Sequence, residues 1–227
     1  MGANPLGSRG RAQGIDHASL MDRVYKRQRH FYDATRKYYL LGRDTMITGL
    51  NVPSNGNVLE IGCGTGRNLV KTAQTYPDAK LFGIDISAEM LETAHSAAER
   101  AGITERTSLE RADATHFNPE ALFGQSNFDR IFISYAVSMI PQWQPVIRES
   151  IRHLKPGGEL HIVDFGDQQG LPYWFKKALF TWLRWFHVTP RSDLFTVADH
   201  MALEQGATSK HKVLYRGFAW IATIRAE

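Results

Sequence analysis

Cysteine is nearly absent: Cys63 stands alone in 227 residues, so no internal disulfide forms and a reducing, cytoplasmic setting is expected. No run approaches the about 20 apolar residues of a membrane-spanning helix, and no apolar segment with a cleavage site opens the sequence. The 9 histidines are scattered, without ligand spacing to Cys63, which argues against a metal site. Position 6 is Leu where the acylation motif beginning at Gly2 needs Ser or Thr, so N-terminal myristoylation is excluded. Internal repeats are absent too. With 43% hydrophobic and 22% charged residues, the composition sets aside wholesale disorder, collagen and disulfide scaffolds. At about 150 residues per domain, the length suggests one domain with appendages. The net charge of +4 and pI of about 9.2 permit attraction to an anionic surface, nucleic acid or lipid, without choosing between them.

Residues 1–15 are rich in Gly and poor in large apolar side chains, and read as a flexible tail. Residues 16–52 turn helical and read as an N-terminal lid. Within them Tyr25, Arg29, Tyr32, Arg36, Tyr39 and Arg43 recur at alternating steps of four and three, one stripe of a helix unless a break falls near Gly42. The stripe is either a solvated basic face with tyrosine spacers or a surface turned towards a ligand.

From Pro53 to residue 227 the pattern alternates. Short β-branched runs predict strands over 57–61, 80–85, 108–112, 128–134 and 159–165, with helices over 68–75, 88–101, 119–122 and 143–154 between them. Such alternation implies a parallel sheet covered by helices on both faces. Pro156-Gly157-Gly158 predicts a sharp stop before the fifth strand. Helical insertions over about 171–187 and 193–205 precede two closing strands over 210–214 and 218–225.

The strongest chemical signal is Val58-Leu59-Glu60-Ile61-Gly62-Cys63-Gly64-Thr65-Gly66, a hydrophobic strand that runs into a glycine loop and then a helix. A dinucleotide fingerprint would place its third glycine at position 67, which is Arg, and no Gly-Lys-Ser/Thr of a phosphate loop follows. The second strand ends at Asp85, where a carboxylate can accept hydrogen bonds from a ribose diol. Glu60 would repel a pyrophosphate but suits an amino-bearing cofactor. Asp113-Ala114 closes the third strand with a short acid able to take a proton donor such as an adenine amino group. Each acid alone also fits a turn or helix-cap role; three at successive strand ends beside one glycine loop point to an adenosine cofactor.

Together these features resemble a class I S-adenosylmethionine-dependent methyltransferase, over about residues 53–165, through Glu60 to Gly66, Asp85, Asp113-Ala114 and Leu154-Lys155-Pro156-Gly157-Gly158. The resemblance implies a three-layer, Rossmann-like α/β fold with a seven-stranded sheet and S-adenosyl-L-methionine as cofactor. It further implies that Gly62, Cys63, Gly64 and Gly66 border the methionine end and Asp85 takes the ribose hydroxyls. Ile86 and Met90 would then pack near the adenine, and Asp113 with Ala114 would recognise its edge. Ser134 and Tyr135 would face the reacting methyl, while Arg43, Glu60, Asn68 and Met139 complete the expected cofactor site.

The flanks are more particular. Tyr25 to Arg36, Leu41-Gly42-Arg43-Asp44, Ser138-Met139-Ile140-Pro141, Val163 to Gln168 and Phe186 to Arg191 resemble the bacterial N-methyltransferases of betaine-lipid synthesis. This resemblance implies three successive methylations of diacylglyceryl-homoserine to diacylglyceryl-trimethylhomoserine. It also implies functional pairing with the transferase that forms the homoserine lipid, and a peripheral position on the inner face of the membrane.

Residues 171–187 agree with a lipid substrate: Trp174, Phe175, Ala178, Leu179, Trp182, Leu183, Trp185 and Phe186 share one half of a helical wheel, and Lys176, Lys177 and Arg184 the other. Such a helix either lies in a membrane interface or covers the sheet edge with its tryptophans in the core. Transfer from a sulfonium to an amine is an in-line displacement that alignment and desolvation can accelerate, provided the amine arrives unprotonated. Asp164, Asp167, His187 and Tyr135 are candidate proton acceptors, and each also fits a strand-end or loop role. Tyr25, Tyr32 and Tyr39 offer aromatic faces for a growing ammonium, and Arg29 and Arg43 offer partners for a carboxylate. Rival readings keep the fold and change the acceptor to phosphatidylethanolamine or a quinone ring, or make the chain a cofactor binder without catalysis. An RNA-binding methyltransferase using the basic N-terminal helix is a further rival, but no ribonucleoprotein aromatic motif is present, so no nucleic-acid partner is expected.

Overall fold

The structure is a computed structural model and describes residues 40–227. Strands β1 (Asn57–Ile61), β2 (Lys80–Asp85), β3 (Thr107–Arg111), β4 (Phe128–Ser134), β5 (Leu154–Phe165), β6 (Ala207–Leu214) and β7 (Ala219–Ala226) form one sheet in the order β3-β2-β1-β4-β5-β7-β6. The first five run parallel, and β7 is antiparallel to both its neighbours. Helices α1 (Arg43–Thr48), α2 (Arg67–Thr75), α3 (Ala88–Arg100), α4 (Pro119–Phe123), α5 (Trp143–Arg152), α6 (Tyr173–Trp185) and α7 (Leu194–Glu204) flank it. This is the three-layer, seven-stranded arrangement that the resemblance implies, with helices on both faces of the sheet as the alternating pattern predicts.

Period-two alternation distributes the strand side chains between two cores. Val58, Leu81, Leu109, Phe132 and Val163 join α1, α2, α3 and Leu183 of α6 on one face. Leu59, Ile61, Phe82, Ile84, Ile131, Ile133, Leu160 and Ile162 join α5 and α7 on the other. The central strands are buried on both faces: all five residues of β1 are buried, as expected of a parallel sheet covered on both sides. Each fully buried residue of the run Ile131-Phe132-Ile133 contributes about 1.5–3 kcal/mol of transfer free energy. The outer strands read differently because they have one neighbour. Only Leu109 of β3 is buried, and β6 exposes Lys210 and Lys212, charges that discourage pairing with another chain.

Two expectations change. Pro156-Gly157-Gly158 does not stop the chain before a strand; it lies inside β5 as a bulge, with Phe128 paired to Leu154 and Arg130 to Glu159. Gly157 adopts φ 72° there, so the extra residues loop out while the ladder resumes. The long stripe does not reach Arg43. Gly42 sits at φ +85° and starts α1 afresh, and a Cβ on it would lie 3.1 Å from Leu214 Cδ1 and 3.3 Å from Val163 Cγ2. Tyr25, Arg29, Tyr32, Arg36 and Tyr39, with the tail and most of the lid segment, lie outside the described residues. Among the described residues no helix is long and apolar enough to cross a membrane, and no group of three His, Cys, Asp or Glu side chains is placed to hold a metal ion.

Candidate active site

The order β2-β1-β4 puts the switch in strand direction of travel between β1 and β4, and in such sheets ligands settle at the carboxyl ends of the strands beside that point. There the chain leaves β1 through Gly62, Gly64 and Gly66, all with positive φ (69°, 52° and 75°). Two of these glycines are also needed for space. A Cβ on Gly62 would lie 2.9 Å from Ala136 Cβ, just past β4, and one on Gly66 would lie 3.0 Å from Ala94 Cβ on α3. The loop is tied back to β2, with Gly62 and Cys63 N–H groups donating to Ile84 O at 2.8 and 3.0 Å.

Asp85 holds this loop as well as ending β2. Its carboxylate accepts from Gly64 N–H at 2.8 Å and from Ser87 N–H at 2.9 Å, and a carboxylate offers about four acceptor positions. Behind the loop, buried Glu60 accepts from the side-chain amide of Asn68 at 2.8 Å. Asn68 is thus placed as a partner of Glu60. Cys63 points inward, 3.0 Å from where a Cβ on Gly83 would stand. Burial first, then the charges of Asp85 and Glu60, push its thiol pKa well up, so it is an inert core group and only its backbone belongs to the loop. Ile86 is half-buried after Asp85. At the next strand end Ala112 N–H donates to Asp85 O at 3.1 Å. Asp113 beyond it is exposed and accepts from Thr115 N–H and hydroxyl at 2.9 and 2.7 Å, with half-buried Ala114 beside it.

The ends of β4 and β5 carry the acceptor-side candidates, and the structure reassigns two of them. Tyr135 sits at φ 56°, a backbone position that costs about 1 kcal/mol for a residue with a Cβ. Its ring packs edge-on against Phe165 with centroids 4.7 Å apart, and its hydroxyl donates to Leu41 O. Burial and the Asp164 charge push its pKa well up, against a smaller pull from Arg43. The residue is a neutral phenol that latches the segment before α1 to the sheet, and its hydroxyl is already spent. Tyr135→Phe should lower stability by about 1 kcal/mol in chemical unfolding, without the hundredfold loss of turnover that removal of a general base brings. Asp164 has no exposed surface. One oxygen accepts from Ser138 N–H at 3.0 Å and the other from Phe165 N–H at 2.7 Å, so it positions the turn after β4.

That turn is clamped a second time. Arg191 donates to Val137 O at 3.1 Å and Ile140 O at 2.8 Å and lies 5.7 Å from the Trp143 ring centre. Thr189 N–H adds a bond to Ser138 O at 2.8 Å. The segment after α6 is thereby stitched to the turn after β4, and it brings Phe186 against Met90 and Met139 in a small apolar cluster of its own. Neither Arg191 nor Phe186 stands out from sequence as a site residue, because an arginine that feeds main-chain carbonyls leaves no spacing signature. Buried Arg43 donates to Leu40 O at 3.1 Å.

His187 is placed by helix geometry. It is exposed at φ 56°, and the N–H groups of Val188 and His187 donate to Leu183 O and Arg184 O at 3.1 and 3.2 Å. These bonds form a Schellman ending to α6, a position that favours glycine. His187→Gly should therefore raise stability by up to about 1 kcal/mol with turnover retained; a hundredfold fall in turnover would restore it as a proton acceptor.

A methyltransferase domain model matches residues 53–212 of the chain. The chain belongs to the methyltransferase domain family. Methyltransferase GfsG of Streptomyces halstedii is 33% identical over 115 residues, 51% of this chain and 40% of that protein. Demethylmenaquinone methyltransferase of Listeria welshimeri is 28% identical over 140 residues, 61% of this chain and 56% of that protein. The chain thus spans about half the length of these curated relatives. Among solved structures, mitomycin 7-O-methyltransferase MmcR superimposes with a TM-score of 0.72 at 13% identity, covering 99% of this chain and 69% of that one.

S-Adenosylmethionine is the methyl donor of this fold, and the residues present fit it. The glycine loop turns at positive φ in Gly62, Gly64 and Gly66, which lets its backbone approach a ligand closely. The Ser134 hydroxyl, at the end of β4, is buried without a hydrogen-bond partner, which a polar ligand beside the loop would satisfy.

Proposed function

We propose that the protein is an N-methyltransferase that converts diacylglyceryl-homoserine to diacylglyceryl-trimethylhomoserine in three methylations. The observation that carries this reading is the enclosure of the acceptor side. The turn after β4, which follows the strand end nearest the glycine loop, is covered by the segment leaving α6, and the cover is apolar and soft: Met90, Met139 and Phe186. Such a lining suits an amine that becomes bulkier and more cationic at each step, because aromatic and polarizable groups hold a quaternary ammonium without demanding a fixed hydrogen bond. When bound, S-adenosylmethionine supplies an electrophilic methyl group. The chain's own contribution is alignment and exclusion of water: Asp85 fixes the glycine loop, Asp164 and Arg191 fix the turn after β4, and Arg43 is a candidate partner for a carboxylate. Neither Asp164 nor Tyr135 has the freedom of a general base, so the reading requires an amine that reaches the site already neutral.

A quinone ring is the second reading, favoured by the likeness to the Listeria demethylmenaquinone methyltransferase. The two differ in the atom methylated. Mass analysis after incubation with S-adenosylmethionine and either diacylglyceryl-homoserine, phosphatidylethanolamine or a demethylated quinone separates them. One to three methyl additions on the homoserine lipid alone are expected. A single addition on quinone carbon would replace the acceptor, and no addition to any of the three, with S-adenosylhomocysteine still bound, would remove the amphiphile reading.

A further inference from the structure

We propose that the outward face of α6, with the turn Tyr215–Gly217 beside it, docks the protein on an anionic lipid bilayer. The inference goes beyond the acceptor assignment, since a bilayer holds glycerolipids and quinones alike. The eight-residue apolar half read from the sequence is divided in the fold. Phe175, Leu179, Trp182, Leu183 and Phe186 pack against the core, so the covering role accounts for them. Trp174 and Trp185 do not follow; both are 71% exposed, and Tyr173 is 77% exposed.

Spacing organises what remains outside. Trp174, Ala178 and Trp185 are four and seven residues apart and form one stripe of the helix. Tyr173, Lys177 and Arg184 repeat the same steps one residue earlier and form the adjoining stripe. Every one of these six residues is exposed. Aromatic rings beside long basic side chains on one helix face are the arrangement that enters the headgroup region. A second element joins at the start of the helix. Gly170 N–H donates to Arg216 O at 3.0 Å, which sets Arg216 and half-exposed Tyr215 beside the segment that leads into Tyr173.

Charge selects the occupant. No Asp or Glu occurs from residue 168 to 192 or from 205 to 226. The nearest acid is Asp167, whose Oδ1 lies 2.8 Å from where a Cβ on Gly217 would stand; with it counted, residues 167–227 hold eight Lys or Arg against five Asp or Glu. A second copy of the chain would bring the same positive face against itself, which like-charge repulsion opposes. A leaflet with anionic headgroups meets the basic stripe and accepts the tryptophans at its interface.

The test uses the whole chain, floated with vesicles of phosphatidylcholine alone or mixed with phosphatidylglycerol. Binding to the mixed vesicles is expected, with loss on adding salt. Lys177→Glu/Arg184→Glu and Trp174→Ala/Trp185→Ala should each weaken it by about tenfold or more while the melting midpoint stays in place. Brominated lipid should quench the tryptophan emission of the parent protein far more than that of the Trp174→Ala/Trp185→Ala variant, which keeps Trp143, Trp182 and Trp220. Equal vesicle binding by parent and variants would overturn the proposal. So would a parent that ignores both vesicles, or variants whose defect is loss of a dimer in sedimentation or of RNA binding. Methylation of a detergent-dispersed homoserine lipid without vesicle binding would overturn the docking face alone; vesicle binding without methylation would overturn the acceptor and keep the face.

Discussion

Asp85→Ala should weaken S-adenosylhomocysteine binding by about a hundredfold, the largest effect on cofactor affinity of any single side chain in the site. Two losses combine. The carboxylate expected to meet the ribose diol is removed, and Gly64 N–H loses the acceptor that holds it at 2.8 Å, so the loop between β1 and α2 must be ordered by the ligand itself. Hydrogen bonds to a charged group are worth about 1.5–3 kcal/mol each, and about 3 kcal/mol corresponds to two decades of affinity. Stability should change much less. Asp85 is only half-buried, so water can take over the Gly64 and Ser87 N–H groups once the carboxylate is gone. Asp85→Asn keeps one carbonyl acceptor and should lose about tenfold. Titration calorimetry beside thermal unfolding of the ligand-free protein separates the two quantities. An affinity within threefold of the parent would remove Asp85 from the cofactor site, and a collapse of stability would make its role structural.

The parts of this architecture that were legible in the sequence are those set by local chemistry. β1, β2 and β4 are legible because parallel strands buried on two faces need runs of apolar side chains, Val58-Leu59, Leu81-Phe82 and Ile131-Phe132-Ile133, and the one buried acid among them, Glu60, is paired with Asn68. The glycine loop was legible for the same reason: positive φ at Gly62 and Gly66 and close approach to Ala136 and Ala94 leave no alternative residue. What escaped was every feature that depends on where distant segments meet. The 3.6-residue periodicity that joined Arg43 to the tyrosine stripe carries no information about Leu214 and Val163, and those side chains fill the space beside Gly42. His187 looked like an available imidazole because no glycine there announces the Schellman ending of α6, whose last helical residue is Trp185. Arg191 serves carbonyls some fifty residues upstream. The wheel of α6 was correct about which residues are apolar and blind to how much of that face the sheet covers.

Asp164→Asn should change the pH dependence of stability more than any other substitution in the described residues, and in a direction opposite to ordinary acid lability. Burial dominates its titration and, against the bonds from Phe165 and Ser138, raises the pKa from 3.8 to about 6. The folded protein therefore holds a proton that the unfolded chain releases between those values. Its stabilising contribution is complete below 3.8 and is lost as pH rises through about 6. Two pH units correspond to about 3 kcal/mol. Other carboxylates act the other way: Glu159 is held low by its hydrogen bond to His161, and Asp199 by Ser209 and His211. The difference between parent and variant isolates Asp164 from them. Asn has one acceptor oxygen where the carboxylate serves two N–H groups, so the variant should start below the parent near pH 4, and the difference should move in its favour by about 3 kcal/mol between pH 4 and pH 7, measured by urea unfolding at both values. Activity supplies the independent check. A residue that only positions the turn after β4 should cost less than tenfold in kcat when its amide keeps the same shape, whereas a proton acceptor would cost about a hundredfold or more. A flat stability difference across that window would mean that the carboxyl is solvated, and a kcat collapse at unchanged stability would return it to the reaction centre.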